Sequence, residues 1–307
     1  EWWRLRSFLN QRGTFDSFWY RDNLDRTGNY NVRLRQLPAR QFDIPTFQTR
    51  LELEEVAPRR HLPELDEVIT AAGAIPKLWY DPNREFYALE AGEPVVEDET
   101  WDESFNDHRA AWQGGNPLLL TGAEDAQYQS FHFEGSEWAL CDNYAHGSTG
   151  NQPPITLFLF AKFSTVAAQQ ILLAYGDKAR GDCLGIQADA SNNFSPYDAD
   201  GTSWGSAVQS NGTADTWRSL AVTSALSSND VSFYANAALK ATVARTRTQA
   251  ATNVSLGAMT DGTLKCSAAG ANCEIAHALI FGAALSLAQI KAVHNLFAYQ
   301  FGVATVS

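Results

Sequence analysis

The sequence holds a single methionine, Met259, and does not begin with one, so its first residue reads as the start of a fragment, of a processed chain or of the ordered part of a longer one. It has only four cysteines, Cys141, Cys183, Cys266 and Cys273, and no CxxC pair, which argues against a zinc site. No apolar run approaches the roughly 18 residues that a membrane span requires, and no signal-peptide pattern is present, so membrane insertion is not expected. No GxSxG or comparable nucleophile pattern accompanies the six histidines. Lysine is missing from residues 1–60, where all 11 basic residues are arginine.

What is there is enough for a large core. The chain has 307 residues, 45% of them hydrophobic, and that length favours two domains over one. The net charge of −12 is spread unevenly: residues 1–60 sum to +3 and residues 61–135 to −13. Such asymmetry implies different neighbours for different parts, and the acidic middle argues against nucleic-acid binding there. The acidic run also reads plainly as a solvated face or linker.

The segment "WWRLRSFLNQRG" predicts a short helix with Trp2, Leu5, Phe8 and Leu9 on one face and Gly13 as its stop. Three strands follow in "FDSFWYRD", "YNVRLRQL" and "TFQTRLELEEV", the last alternating cleanly. A helix and three strands are less than a stable domain and leave open sheet edges, so upstream sequence or neighbouring subunits are expected to complete residues 1–56. Residues 57–76 read as a connector with a short helix, Pro63 near its first turn and Gly73 at its end. Beyond it, strands are predicted in 155–163, 169–177, 183–189, 217–225, 230–239, 253–259 and 273–285. One helix closes the chain, with a Ser286/Gln289 capping box, a stripe of Leu287, Ile290, His294, Phe297 and Phe301, and Gly302 as its stop. The expected fold class is mainly β: an antiparallel jelly-roll β-sandwich over 77–307 with one C-terminal helix, preceded by a partial β domain.

In order and spacing, "PKLWYDPNREF" (76–86), "FHFEGSEWAL" (131–140), "TLFLFAKFS" (156–164), "DVSFYANAAL" (230–239) and the closing strand and helix (275–302) resemble the laminin-G/concanavalin A-like jelly-roll family. Separately, "FLxxRGxxxSFWYRD", the next strand and the alternating "RLELEEV" make residues 1–56 similar to the C-terminal part of phage tail-tip proteins of the distal-tail or minor-tail type. That second resemblance implies a virion structural protein in a phage tail, forming a ring with copies of itself and touching other tail proteins. Trp2, Trp3, Phe18, Trp19 and Tyr20 would then be interface residues. The plainer alternative is that they fill the seam between two domains of one chain.

Jelly rolls of this class include glycan binders, adhesion modules and glucanases. A glucanase needs two facing carboxylates. "VVEDETWDES" departs from the alternating acidic signature of that branch, with Trp101 between Glu99 and Glu103, and Glu134 and Glu137 are expected on opposite faces of one strand. The most suggestive loop is "YDADGTSWG". It reads either as an Asp-Gly turn or as a binding loop, in which Asp198 and Asp200 hold calcium or sugar hydroxyls and Tyr197 or Trp204 stacks on a pyranose. Two carboxylates alone fall short of calcium's six to eight oxygens. "CDNYAHGSTGN" is a second polar-aromatic loop, with Tyr144 and His146. Cys266 and Cys273 flank "SAAGAN", where a disulfide is sterically plausible. His277 and His294 are expected as hydrogen-bonded core residues rather than catalysts. The expectation is therefore a tail protein displaying a sandwich that binds host-surface glycan without turnover. A glycan hydrolase and a ligand-free decoration domain are the alternatives.

Overall fold

A computed structural model describes residues 17–21, 29–36, 52–55, 63–84, 93–94, 99–100, 102, 104, 106, 108–121, 128–142, 144, 153–163, 170–176, 183–188, 193–198, 209–210, 216–225, 230–244, 253–258 and 272–307. The chain divides into two compact units, residues 1–62 and 63–307.

The first unit contains an antiparallel meander of β1 (Ser17–Arg21), β2 (Asn29–Gln36) and β3 (Glu52–Glu55), in that order. Phe18 is register partner to Val32, Tyr20 to Tyr30, and Arg33 to Glu54. The helix predicted over the first 12 residues, with Trp2 and Trp3, lies outside the described residues.

The second unit opens with a helix, α1 (Leu65–Ala72), placed where Pro63 and Gly73 predict it. The Glu64 N–H donates to Glu67 Oε2 at 2.8 Å, and acidic Asp66 and Glu67 sit in the first turn, where the helix dipole favours them. Gly73 takes a left-handed conformation (φ 61°) as the stop. This helix is part of the sandwich unit, not a free connector: the Gln289 side-chain amide donates to the carbonyl of its last residue, Ala72, at 2.5 Å.

Seventeen strands follow. In chain order they are β4 (Pro76–Tyr80), β5 (Glu93–Pro94), β6 (Glu99–Thr100), β7 (Ala110–Gln113), β8 (Leu118–Thr121) and β9 (Gln129–Glu134). Next come β10 (Trp138–Cys141), β11 (Ile155–Phe163), β12 (Gln170–Tyr175), β13 (Leu184–Ala188), β14 (Asn193–Asp198) and β15 (Gln209–Ser210). The last are β16 (Arg218–Ser224), β17 (Asp230–Ala235), β18 (Ala238–Ala244), β19 (Val254–Leu256) and β20 (Asn272–Phe281), followed by the closing helix α2 (Leu287–Ala298). They form two antiparallel sheets: an eight-stranded one ordered β15-β14-β13-β12-β19-β10-β7-β6, and a nine-stranded one ordered β18-β17-β16-β11-β20-β9-β8-β5, with β4 paired to β20. This is the expected mainly β, antiparallel sandwich with one C-terminal helix.

Alternation sorts the side chains. Leu157 and Leu159 of β11, Phe131 and Phe133 of β9 and Ile280 of β20 meet Leu173, Tyr175, Ile186, Phe194 and Leu256 of the other sheet, all at most 1% exposed. The opposite side of β11 carries Phe158 and Phe160, which join Leu279 and Phe281 under Val68 and Ala72 of α1 and Ile290, Val293 and Phe297 of α2. Burial on both faces is why "ITLFLFAKF" reads as an unbroken apolar run. On α2, Ser286 caps the first turn with Gln289, and Gly302 (φ 64°) ends the following 3-10 turn at Tyr299–Phe301, as predicted. Leu287 departs from the predicted buried stripe and is 41% exposed.

"FHFEGSEWAL" is not one strand. It is the end of β9 and all but the last residue of β10, which lie in different sheets. The break falls at Gly135 (φ 104°), and Glu137 Oε2 accepts the Glu134 N–H at 2.8 Å to hold the crossing. Glu134 and Glu137 therefore flank a turn.

Candidate functional site

The predicted glycan loop begins at the end of β14. Tyr197 is 3% exposed there and packs with Ile171, Ala174 and Cys183 in a small cluster apart from the main core. A ring so enclosed has no free face for a pyranose, which corrects its proposed stacking role. Asp198 is described only as a backbone position at the strand's last residue, register partner to Leu184, and Asp200 and Trp204 lie outside the described residues. Next to Tyr197, the Gln187 side-chain amide donates to Ser195 Oγ at 2.8 Å, both residues buried.

Tyr144 is corrected on the same ground. It is 1% exposed, edge-on to Tyr175 at 5.8 Å and to His108 at 5.0 Å. Burial, then Tyr175, Asp102 and Cys141, push its phenol far above the ordinary range, so it stays neutral. His146 lies outside the described residues. Phe18, Trp19 and Tyr20 are placed as strand positions of β1. The Cys266–Cys273 bridge is not formed. Cys273 is a free, buried thiol on β20, and burial, then Glu274, raise its pKa well beyond the usual thiol range. Cys266 lies outside the described residues.

Both core histidines stand as expected. His294 Nδ1 is 2.7 Å from Ser219 Oγ, and Nε2 is 3.0 Å from the Ala304 carbonyl, which fixes Nε2 as the donor and Nδ1 as the acceptor from the serine hydroxyl. Burial lowers its pKa, partly opposed by the Ala304 bond. His277 Nε2 is 2.8 Å from Gln300 Oε1, and its Nδ1 is 3.7 Å from Asp81 Oδ2. A carboxylate, an imidazole and an amide in sequence resemble an acid–base relay. Here the Asp81 and His277 side chains are 0% exposed, so no substrate reaches them. The hydrogen bond to Gln300 ties β20 to the 3-10 turn that follows α2, and Asp81 brings the segment after β4 beside it.

Three further described carboxylates serve the backbone or a neighbouring cation. Asp102 accepts the N–H groups of Trp79 (3.0 Å), Ser104 (2.9 Å) and His108 (3.1 Å). Glu137 is raised by partial burial, but hydrogen bonds from the Ser136 hydroxyl and from the backbone outweigh this and leave its pKa low, the reverse of a general acid. Glu274 pairs with Lys162 at 2.6 Å and accepts from Ser130 Oγ at 3.0 Å. Among the described residues no group of three or more His, Cys, Asp or Glu side chains could hold a metal. No helix among them is long and apolar enough to cross a membrane.

These features define an antiparallel β-sandwich. No protein-family model matches the sequence, and no curated protein matches it either. Solved structures share the fold. The binding domain of botulinum neurotoxin serotype D superposes with a TM-score of 0.52 at 11% identity, covering 74% of this chain and 52% of that one. Domain 4 of AbnA, a GH43 extracellular arabinanase from Geobacillus stearothermophilus solved with arabinotriose, gives 0.49 at 14% identity, covering 72% of this chain and 98% of that one. Trypanosoma rangeli sialidase in complex with sialic acid gives 0.49 at 14% identity, covering 78% and 38%. The match thus spans about half the length of the neurotoxin binding domain.

Proposed function

We propose that this chain is a non-catalytic, carbohydrate-binding β-sandwich carried by a structural protein of a phage tail. The observation that carries the binding reading is the state of the carboxylates. Glycoside hydrolysis needs two of them facing each other about 5–9.5 Å apart across a sugar. Asp81, Asp102, Glu137 and Glu274 instead accept hydrogen bonds from protein donors. The fold shared with the binding domain of a neurotoxin supports recognition over turnover by analogy of architecture. The tail assignment rests on the resemblance of residues 1–56 and on the outer strands β1 and β3 of the meander, each paired on one side only among the described residues. A closed ring of copies satisfies such edges and gives avidity to a weak single-site sugar contact. Calcium at Asp198 and Asp200 is part of the proposal, as an aid to the loop after β14.

The test is binding of the full chain to a glycan panel, with calcium and with chelator, alongside an assay for released reducing sugar and the native mass by light scattering. Retention on glycan without sugar release is expected, in an assembly of several copies. Sugar release would replace the reading with a hydrolase. No retention under either condition would leave a ligand-free decoration domain, and a monomer would remove the ring.

A further inference from the structure

We propose that the outer face of the nine-stranded sheet, beyond the edge of its helical cover, holds a sugar subsite built from Trp217, Lys162, Glu274 and His132, taking a short neutral oligosaccharide laid across the strands. This rests on the carbohydrate-binding reading above and places the contact away from the β14 loop.

The site is a product of strand register. Lys162 of β11 is register partner to Glu274 of β20, and Glu274 to His132 of β9. Trp217 directly precedes Arg218, the partner of Ala161, and so continues the row on the other side of Lys162. Four side chains from four neighbouring strand lines thus stand in one row perpendicular to the strands. At roughly 4.8 Å per strand, the row is about 14 Å long, the reach of a short oligosaccharide rather than one ring.

The two helices cover only part of this face. They bury Phe158, Leu279 and Phe281, and the cover ends where Phe301 packs on Trp217 at a centroid distance of 4.3 Å. Phe160 stacks beneath Trp217 at 6.0 Å and 19°, so the half-exposed indole is held in a fixed orientation. A rigid aromatic plate loses little side-chain entropy when a sugar's C–H face settles on it. Lys162 Nζ lies 5.5 Å from that ring and 2.6 Å from Glu274 Oε1. The Lys162 and His132 side chains remain 22% and 24% exposed, and that of Glu274 11%.

The polar groups keep unused capacity. An ionised carboxylate offers about four lone-pair sites, and Glu274 commits one oxygen to Lys162 and the other to Ser130 Oγ. An ammonium has three N–H donors, of which Glu274 takes one. His132 Nε2 is 4.0 Å from Glu134 Oε1, too far for a full hydrogen bond, and can turn to a ligand. Donors, acceptors and an aromatic plate in one line suit the hydroxyls of a sugar, each of which both donates and accepts. The internal Lys162–Glu274 pair neutralises the row's charge, which favours a neutral sugar over an acidic one.

The full chain is titrated with maltotriose, cellotriose and chitotriose, and the tightest binder is then measured against four variants. Lys162→Met, Glu274→Gln and His132→Ala are expected to weaken it at least tenfold with melting temperatures near that of the parent, whereas Lys240→Ala, at an exposed position of β18 outside the row, leaves it within twofold. Binding by the parent that the three row variants retain within twofold overturns this subsite and leaves the carbohydrate reading standing. Loss of binding only with loss of folding in Lys162→Met and Glu274→Gln leaves His132→Ala, at a half-exposed position, to decide. A parent that binds none of the three sugars overturns the subsite as proposed. If the parent also fails on the full glycan panel, the carbohydrate reading falls with it.

Discussion

Thr156 joins the sandwich to the closing helix through one hydroxyl. Its Oγ1 donates to the Ala283 carbonyl at 2.7 Å and accepts the Leu285 N–H at 2.9 Å, in a side chain with no solvent exposure. Those two residues belong to the segment that launches α2. Thr156→Val keeps the shape and removes both partners. Leu285 is 3% exposed, so its N–H loses this acceptor with no water to replace it, while the half-buried Ala283 carbonyl loses less. One fully orphaned donor at about 1–3 kcal/mol and one lost hydrogen bond at about 1 kcal/mol give an expected loss of about 2–4 kcal/mol. Thr156→Ser keeps the hydroxyl and deletes one buried methyl, for about 1 kcal/mol. Urea denaturation of both variants and the parent, followed by tryptophan fluorescence, measures the difference. A valine variant as stable as the serine variant, or more so, would refute the claim that this hydroxyl holds the helix launch in place.

Gly114 has φ +72°, and a Cβ there would stand 2.4 Å from the Ser136 carbonyl oxygen, so Gly114→Ala is expected to cost about 2 kcal/mol or more. At about 2–4 °C per kcal/mol for a domain of this size, the melting temperature should fall about 4–8 °C, and an unchanged melting curve would contradict it. Burial lowers the His294 pKa below its unfolded value of about 6.5, so its contribution is complete above pH 6.5 and is lost as the pH falls through the folded value. Denaturation midpoints at pH 7.5 and pH 5 should therefore diverge more in the parent than in His294→Gln; equal slopes would remove His294 as the cause. Since Cys273 is a free buried thiol, dithiothreitol should leave the melting temperature unchanged, and an aromatic disulfide reagent should reach it only on unfolding. A drop in melting temperature on reduction would restore the bridge to Cys266.

Local signals carried the fold well. "ITLFLFAKF", "WRSLAVTSA" and "SLAQIKAVHNLFAYQFG" hold their periodicity and caps within one element, and each element formed where its pattern lies. Failures came where one pattern serves two environments. "FHFEGSEWAL" alternates like a single strand, yet Gly135 lets the chain cross between sheets. Tyr144 and Tyr197 sit in polar text that suits a binding loop, but their rings pack among residues distant in sequence, such as Tyr175 and Ile171. No window around either tyrosine contains those neighbours, so no periodicity predicts the burial.

By itself the sequence determined the class of architecture, the position of both helices in the second unit, their glycine stops, and the core character of His277 and His294, because each depends on groups within a turn or two or on hydrophobic period. Only the tertiary structure decided which face of each strand meets the other sheet and which meets the helices. It alone brought Gln289, already capping its own helix at Ser286, to the last carbonyl of α1. It also placed Lys162 opposite Glu274 and Glu274 opposite His132. Those partners lie far apart in the chain. Strand register, set by cross-strand hydrogen bonding and packing of the whole sandwich, makes them neighbours.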